Sequence, residues 1–129
     1  MKTEMLYLVL VTTFTALMWV PYILDRIIVW GLADTVGYPA TPKPQSPWAI
    51  RMRAAHANAV ENLVVFAALV LAAQVIGLSN GATAAACMIY FWARVVHFLA
   101  YTFAVPWVRT LGFAVGFFCQ ITLAWQLLA

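Results

Sequence analysis

Residues 51–80 read RMRAAHANAVENLVVFAALVLAAQVIGLSN. Two arginines, a histidine, two asparagines and a glutamate crowd the first twelve positions, and from Leu63 onward only Gln74 and the closing Ser79-Asn80 interrupt an apolar run. Going back to Pro47, the segment 47–76 reads as one helix of thirty residues, about 45 Å long against about 30 Å of bilayer hydrocarbon. A helix of this kind spans a membrane and projects its charged first turns into the headgroup zone.

The rest of the chain has the same character. Of its 129 residues 66% are hydrophobic and 9% are charged, where a soluble domain carries about 25% charged residues. The mean hydropathy of +0.93 agrees, so an all-α integral membrane protein is expected. Four segments have spanning length, at roughly 5–28, 47–76, 82–104 and 107–128. Together they form a single four-helix membrane domain over 1–129. Strands are excluded because no period-2 alternation occurs and an open sheet cannot satisfy its edges in lipid. The first run lacks a small-residue cleavage site and continues as WVPYILDR, so it is read as a retained helix rather than a signal peptide.

The connections bound these spans. GLADTVGYPATPKPQS (31–46) is rich in Gly and Pro and ends in Ser46-Pro47, an N-cap followed by proline at the first helical position. GLSNG (77–81) is a tight turn, and Pro106 marks the third connection. Arg26, Lys43, Arg51, Arg53 and Arg109 all lie on or beside the first and third connections, with Lys2 alone opposite. The positive-inside rule places those connections in the cytoplasm and both termini on the other side. No basic stripe with interleaved aromatics suggests nucleic acid as a partner. Cys87 and Cys119 lie within apolar runs and read as packing thiols. His56 and His97 lack partners at metal-ligand spacing, so no metal site is expected.

Polar residues converge at the basic end. Arg51, Asn58 and Glu61 recur at helical spacing on the second span, and Tyr90, Arg94, His97 and Tyr101 do so on the third. Arg109 and Thr110 open the fourth. Glu61 and Arg94 sit deepest and are expected to pair, since an unpaired charge at that depth costs about 2.5–3.5 kcal/mol. Alone, Arg51 and Arg53 would read as snorkelling anchors, and Tyr90 and Trp92 as packing aromatics. Together the aligned groups suit an anionic, hydrogen-bonding ligand that also carries one cationic group, with arginines for carboxylates and the glutamate for an ammonium.

The segments RAAHANAVENLVVF (53–66), YFWARVVHFLAY (90–101) and VRT (108–110) resemble the MAPEG family, the membrane-associated proteins of eicosanoid and glutathione metabolism. The resemblance covers essentially the whole chain. It implies a homotrimer of four-helix subunits that holds glutathione as co-substrate near the cytoplasmic face. It also implies that Glu61 takes the ligand's amino group beside Asn58, and that His97 and Tyr101 contact the ligand. In the same way Arg109 stabilises the thiolate, Thr110 stands where a relative has serine, and Arg26 matches a further ligand-facing arginine. The chain departs from the family's prostaglandin E synthase at Ala54 and Ala57, where that enzyme has arginines, and at Phe113, where it has tyrosine. Arg51 and Arg53 are the candidates to replace those lost cations.

The expected activity is therefore a glutathione-dependent transferase or peroxidase acting on a lipophilic electrophile or hydroperoxide that arrives from the bilayer. The alternative is a non-catalytic lipid-binding or accessory protein on the same scaffold, favoured by Ala54 and Ala57.

Overall fold

The computed structural model describes residues 1–129. It contains six helices and no strand: α1 (Thr3–Leu17), α2 (Trp19–Trp30), α3 (Leu32–Val36), α4 (Pro47–Val75), α5 (Gly81–Thr102) and α6 (Val108–Leu128). Taken together, α1 and α2 run from Thr3 to Trp30, so four helical segments are long and apolar enough to cross a membrane. The chain is a multi-pass integral membrane protein.

The first span is broken at Met18, where an uninterrupted helix was expected. Pro21 is the cause. It has no N–H to offer the Leu17 carbonyl, and its ring crowds that turn. Met18 N–H tightens onto Thr15 O at 3.3 Å. The Thr15 hydroxyl donates back to Val11 O at 2.7 Å, a bond that bends helices. At the far end Gly31, at φ 81°, closes α2 with its N–H on Ile27 O.

Ser46 precedes α4 as expected, but its side chain makes no cap bond. Its hydroxyl and backbone N–H both donate to the Asp25 carboxylate, and Gln45 Nε2 donates to the same group. The long connection is thereby strapped to α2. Trp30 Nε1–H adds a bond to Lys43 O. The second connection turns at Gly77, at φ 71°, and passes into a capping box in which Asn80 and Thr83 satisfy each other's backbone N–H. The Thr83 hydroxyl also donates to the buried Glu4 carboxylate, which ties the start of α1 to the start of α5.

Helix α5 is central, packing on α1, α4 and α6. One apolar cluster joins Leu8 and Val11 to Phe66, Val70, Tyr90 and Leu123, and there the Phe66 and Tyr90 rings stack at 3.7 Å. A second joins Met18 and Tyr22 to Met52, Ala55 and Phe98 nearer the basic end. Cys87 and Cys119 are free and buried in the first. At the crossing of α5 and α6, Gly112 permits an approach that few side chains would tolerate. A Cβ there would lie 3.2 Å from Ala93 O and 3.3 Å from His97 Cβ. Close contact through small residues is how helices gain packing energy in lipid, where no hydrophobic force drives them together.

Candidate ligand cleft at the basic end

The third connection sets up the site. It is longer than the helix limits 82–104 and 107–128 imply: α5 stops at Thr102 and α6 starts at Val108. Ala104 and Trp107 take up the reversal at φ 55° and 68°, a region that non-glycine residues seldom occupy. Strained backbone of this kind persists where surrounding structure holds it. The sharp turn returns Arg109 over Tyr101, with its guanidinium carbon 4.6 Å from the ring centroid, within the range of a cation–π contact.

Two hollows meet at that pair. The larger, about 340 Å³, is lined by Asn58, His97, Tyr101, Arg109, Thr110 and Phe113. The smaller, about 240 Å³, is lined by Arg51, Tyr101, Arg109, Thr110 and the turn residues that include Pro106 and Trp107. Three helices far apart in sequence thus supply one polar cleft. Arg51 is not a loose anchor: its Nε–H donates to Thr102 O at 2.9 Å and satisfies a carbonyl at the C-terminus of α5. That bond fixes the start of α4 against the end of α5.

Of the residues singled out in the sequence, Arg51, Asn58, His97, Tyr101, Arg109 and Thr110 are brought together. Four are not. Arg26 donates to Gln45 Oε1 at 3.3 Å and lies over Trp30 at 4.9 Å, so it belongs to the strapped connection. Arg53 is exposed on the outer face of α4. Glu61 is also exposed, beside Ala57, Val64 and Ala68, and lines neither hollow. The expected Glu61–Arg94 pair is therefore replaced by another arrangement. Arg94 is 2% exposed, and its Nη2–H donates to Asn58 Oδ1 at 2.7 Å. It stands behind the cleft and reaches it only through Asn58.

A polar network one turn deeper escaped the sequence reading. Asn62 Oδ1 accepts from the Tyr90 hydroxyl at 2.6 Å and from Gln120 Nε2 at 2.9 Å, and Asn62 O accepts from Gln120 at 3.1 Å. Tyr90 is thus a hydrogen-bonding member of the bundle interior as well as a packing aromatic. The available signals were Asn62 one turn after Asn58 and Gln120 as a lone amide in mid-span. The Tyr22 hydroxyl and His56 Nδ1, 2.8 Å apart, form a further link between the broken first span and α4. No three His, Cys, Asp or Glu side chains gather as a ligand set.

Chemically, the larger hollow is rich in donors. Arg109 only donates, while His97, Tyr101 and Thr110 can donate or accept. No carboxylate lines it. Glu4 is engaged by Thr83 at the opposite end, Asp25 by Ser46, Asp34 lies in α3 and Glu61 is on the outer face. Such a hollow suits carboxylate or thiolate groups. Among protein families, the one described as the MAPEG family matches residues 8–129. No curated protein and no solved structure matches the chain.

Proposed function

Because the chain belongs to the MAPEG family, we propose that it is a glutathione-dependent membrane transferase or peroxidase with Arg109 as its thiolate-stabilising residue. The supporting observation is the placement of Arg109 over Tyr101, at the junction of two hollows that also present Arg51, Asn58, His97 and Thr110. Glutathione brings two carboxylates and a thiol to a cleft that offers mainly donors. A free thiol has a pKa near 8.5, and an adjacent cation lowers it. The Tyr101 ring holds the Arg109 guanidinium in place without neutralising it, so its charge stays available to the ligand's sulfur.

The second substrate is a lipophilic electrophile or hydroperoxide from the bilayer. Reaction with an electrophile forms a carbon–sulfur bond and expels the leaving group, or leaves the pair on carbon in an addition. With a hydroperoxide, two glutathiones are oxidised to the disulfide and the peroxide is reduced to an alcohol and water. In this reading three copies associate through the outer face of α4. Glu61 sits there among exposed Ala54, Ala57, Val64 and Ala68, and a charge at bilayer depth costs about 2.5–3.5 kcal/mol unless a neighbour receives it. Charge asymmetry further supports a cytoplasmic cleft and non-cytoplasmic termini.

One observation favours a lipid-binding accessory role instead. Met88, Trp92, Val96, Leu111 and Val115 line a groove of about 360 Å³ between α5 and α6, with no polar surface in it. Titration of the detergent-purified protein with glutathione separates the two readings. Saturable binding that Arg51→Ala or Arg109→Ala weakens supports the enzyme. No binding at millimolar glutathione refutes it and leaves the lipid-binding role.

A further inference from the structure

Arg94 is an unusual feature of the bundle. It is a cation 2% exposed in a membrane-spanning helix, with no carboxylate beside it. Its one hydrogen bond goes to Asn58, while Nε and Nη1 have no partner within the chain. Its stem packs beside Gly116, where a Cβ would meet Arg94 Cδ at 3.7 Å and Tyr90 at 3.6 Å in ordinary van der Waals contact. Leaving charged donors half-satisfied costs free energy, so its retention calls for a task.

That task follows from what a guanidinium lacks. Arginine has five N–H donors and no acceptor, so the Asn58 arm at 2.7 Å must be the carbonyl oxygen. An asparagine amide is otherwise free to turn either way. Here its Oδ1 is held inward, and the arm left for the cleft that Asn58 lines is the Nδ2 amide. We infer that Arg94 is a positioning residue: it fixes the Asn58 amide so that a bound ligand meets N–H donors, and the cleft selects the acceptor-rich, anionic end of that ligand.

Together with Arg109, the fixed amide gives the larger hollow two obligatory donors and no obligatory acceptor. An ammonium group finds no obligatory partner there, only hydroxyls and an imidazole that can also donate. A carboxylate or thiolate finds at least two, and the buried Arg94 charge behind Asn58 favours the anion further. A peptide ligand therefore enters with its amino end outside this hollow. The identity of the ligand as glutathione rests on the function proposed above, whereas the amide orientation does not.

The test uses the full chain in detergent and reads melting temperature and glutathione affinity together. Asn58→Asp keeps the inward oxygen and gives Arg94 a counter-ion, but it replaces the outward donor with an acceptor. Asn58→Leu removes both arms. Asn58→Asp is expected to melt at or above the wild-type temperature while binding glutathione at least about tenfold more weakly, the equivalent of one lost charge-assisted hydrogen bond. Asn58→Leu is expected to melt several degrees lower. Arg94→Gln, which can present either arm to Asn58, weakens binding in a protein that still folds, and Arg94→Lys, which can only donate, retains it.

The inference is overturned if Asn58→Asp melts with Asn58→Leu, or if it binds as tightly as wild type. It is equally overturned if Arg94→Gln leaves affinity unchanged. Absence of glutathione binding in the wild type refutes the proposed activity, and the melting comparison then decides the amide orientation by itself.

Discussion

Replacing Asn62 by leucine removes the acceptor at the centre of the buried network, and the structure sets the size of the effect. Its Oδ1 serves two donors, the Tyr90 hydroxyl at 2.6 Å and Gln120 Nε2 at 2.9 Å, but Gln120 keeps a 3.1 Å bond to the backbone carbonyl of residue 62. One donor is therefore orphaned outright and one is half-served. Tyr90 is 1% exposed, so water cannot replace the bond. An unsatisfied buried donor costs about 1–3 kcal/mol, although interhelical hydrogen bonds in membranes average about 0.6 and reach about 1.7 kcal/mol in double-mutant cycles. An oxygen shared by two donors belongs at the upper end, so Asn62→Leu is expected to cost roughly 1.5–2.5 kcal/mol. Tyr90→Phe alone is cheaper, because Asn62 retains Gln120. In the double variant no hydroxyl is stranded, and the two penalties should sum to about 1 kcal/mol more than is measured. Reversible unfolding in mixed micelles, followed by circular dichroism, gives all three values. Additivity within about 0.3 kcal/mol would refute the assignment of this network as a coupled unit.

Gly112→Leu should push α6 away from α5 behind His97, where even a Cβ meets Ala93 O at 3.2 Å. Overpacking of this kind costs about 1–3 kcal/mol, and displacement of Arg109 should weaken glutathione binding as well, both readable in one thermal-shift titration. Asp25→Ala frees the Ser46 and Gln45 donors that strap the first connection. Limited proteolysis should then cut within 37–46 faster than in wild type, with little change in the cleft's affinity. Pro21→Ala restores the missing N–H below Leu17 and should close the break at Met18, visible as slower amide exchange over residues 17–21.

Hydropathy made the four spans legible because a membrane helix must be apolar along its whole length. The Met18 break was within reach, since Pro21 stands in plain view, but span length alone does not register a kink. The polar cleft was legible in part for a geometric reason. Asn58 and Glu61 are three residues apart and so about 60° apart around the helix. Calling them one face is fair at the resolution of a helical wheel, yet 60° is enough to turn Asn58 inward and Glu61 outward. Arg94 was recognised as deep and in need of a partner. Which partner it takes depends on how α4 is rotated against α5, which the small residues Ala55 and Ala59 set by burying the inner face of α4. Periodicity carries no such rotation. Gln120 and Asn62 went unnoticed because single amides in apolar runs look like tolerated exceptions until three helices are seen to aim them at one point.

Whether Arg109 ionises a bound thiol is measured most directly by ultraviolet difference absorbance of glutathione on the purified protein, followed across pH. A guanidinium within 4–6 Å lowers an opposing acid by about 1–3 units, so from a free-thiol value near 8.5 the thiolate band should rise with a midpoint of roughly 5.5–7.5. Arg109→Ala should bind more weakly and return the midpoint to about 8.5. A wild-type midpoint already at the free-thiol value, or one that Arg109→Ala leaves unmoved, would contradict the account.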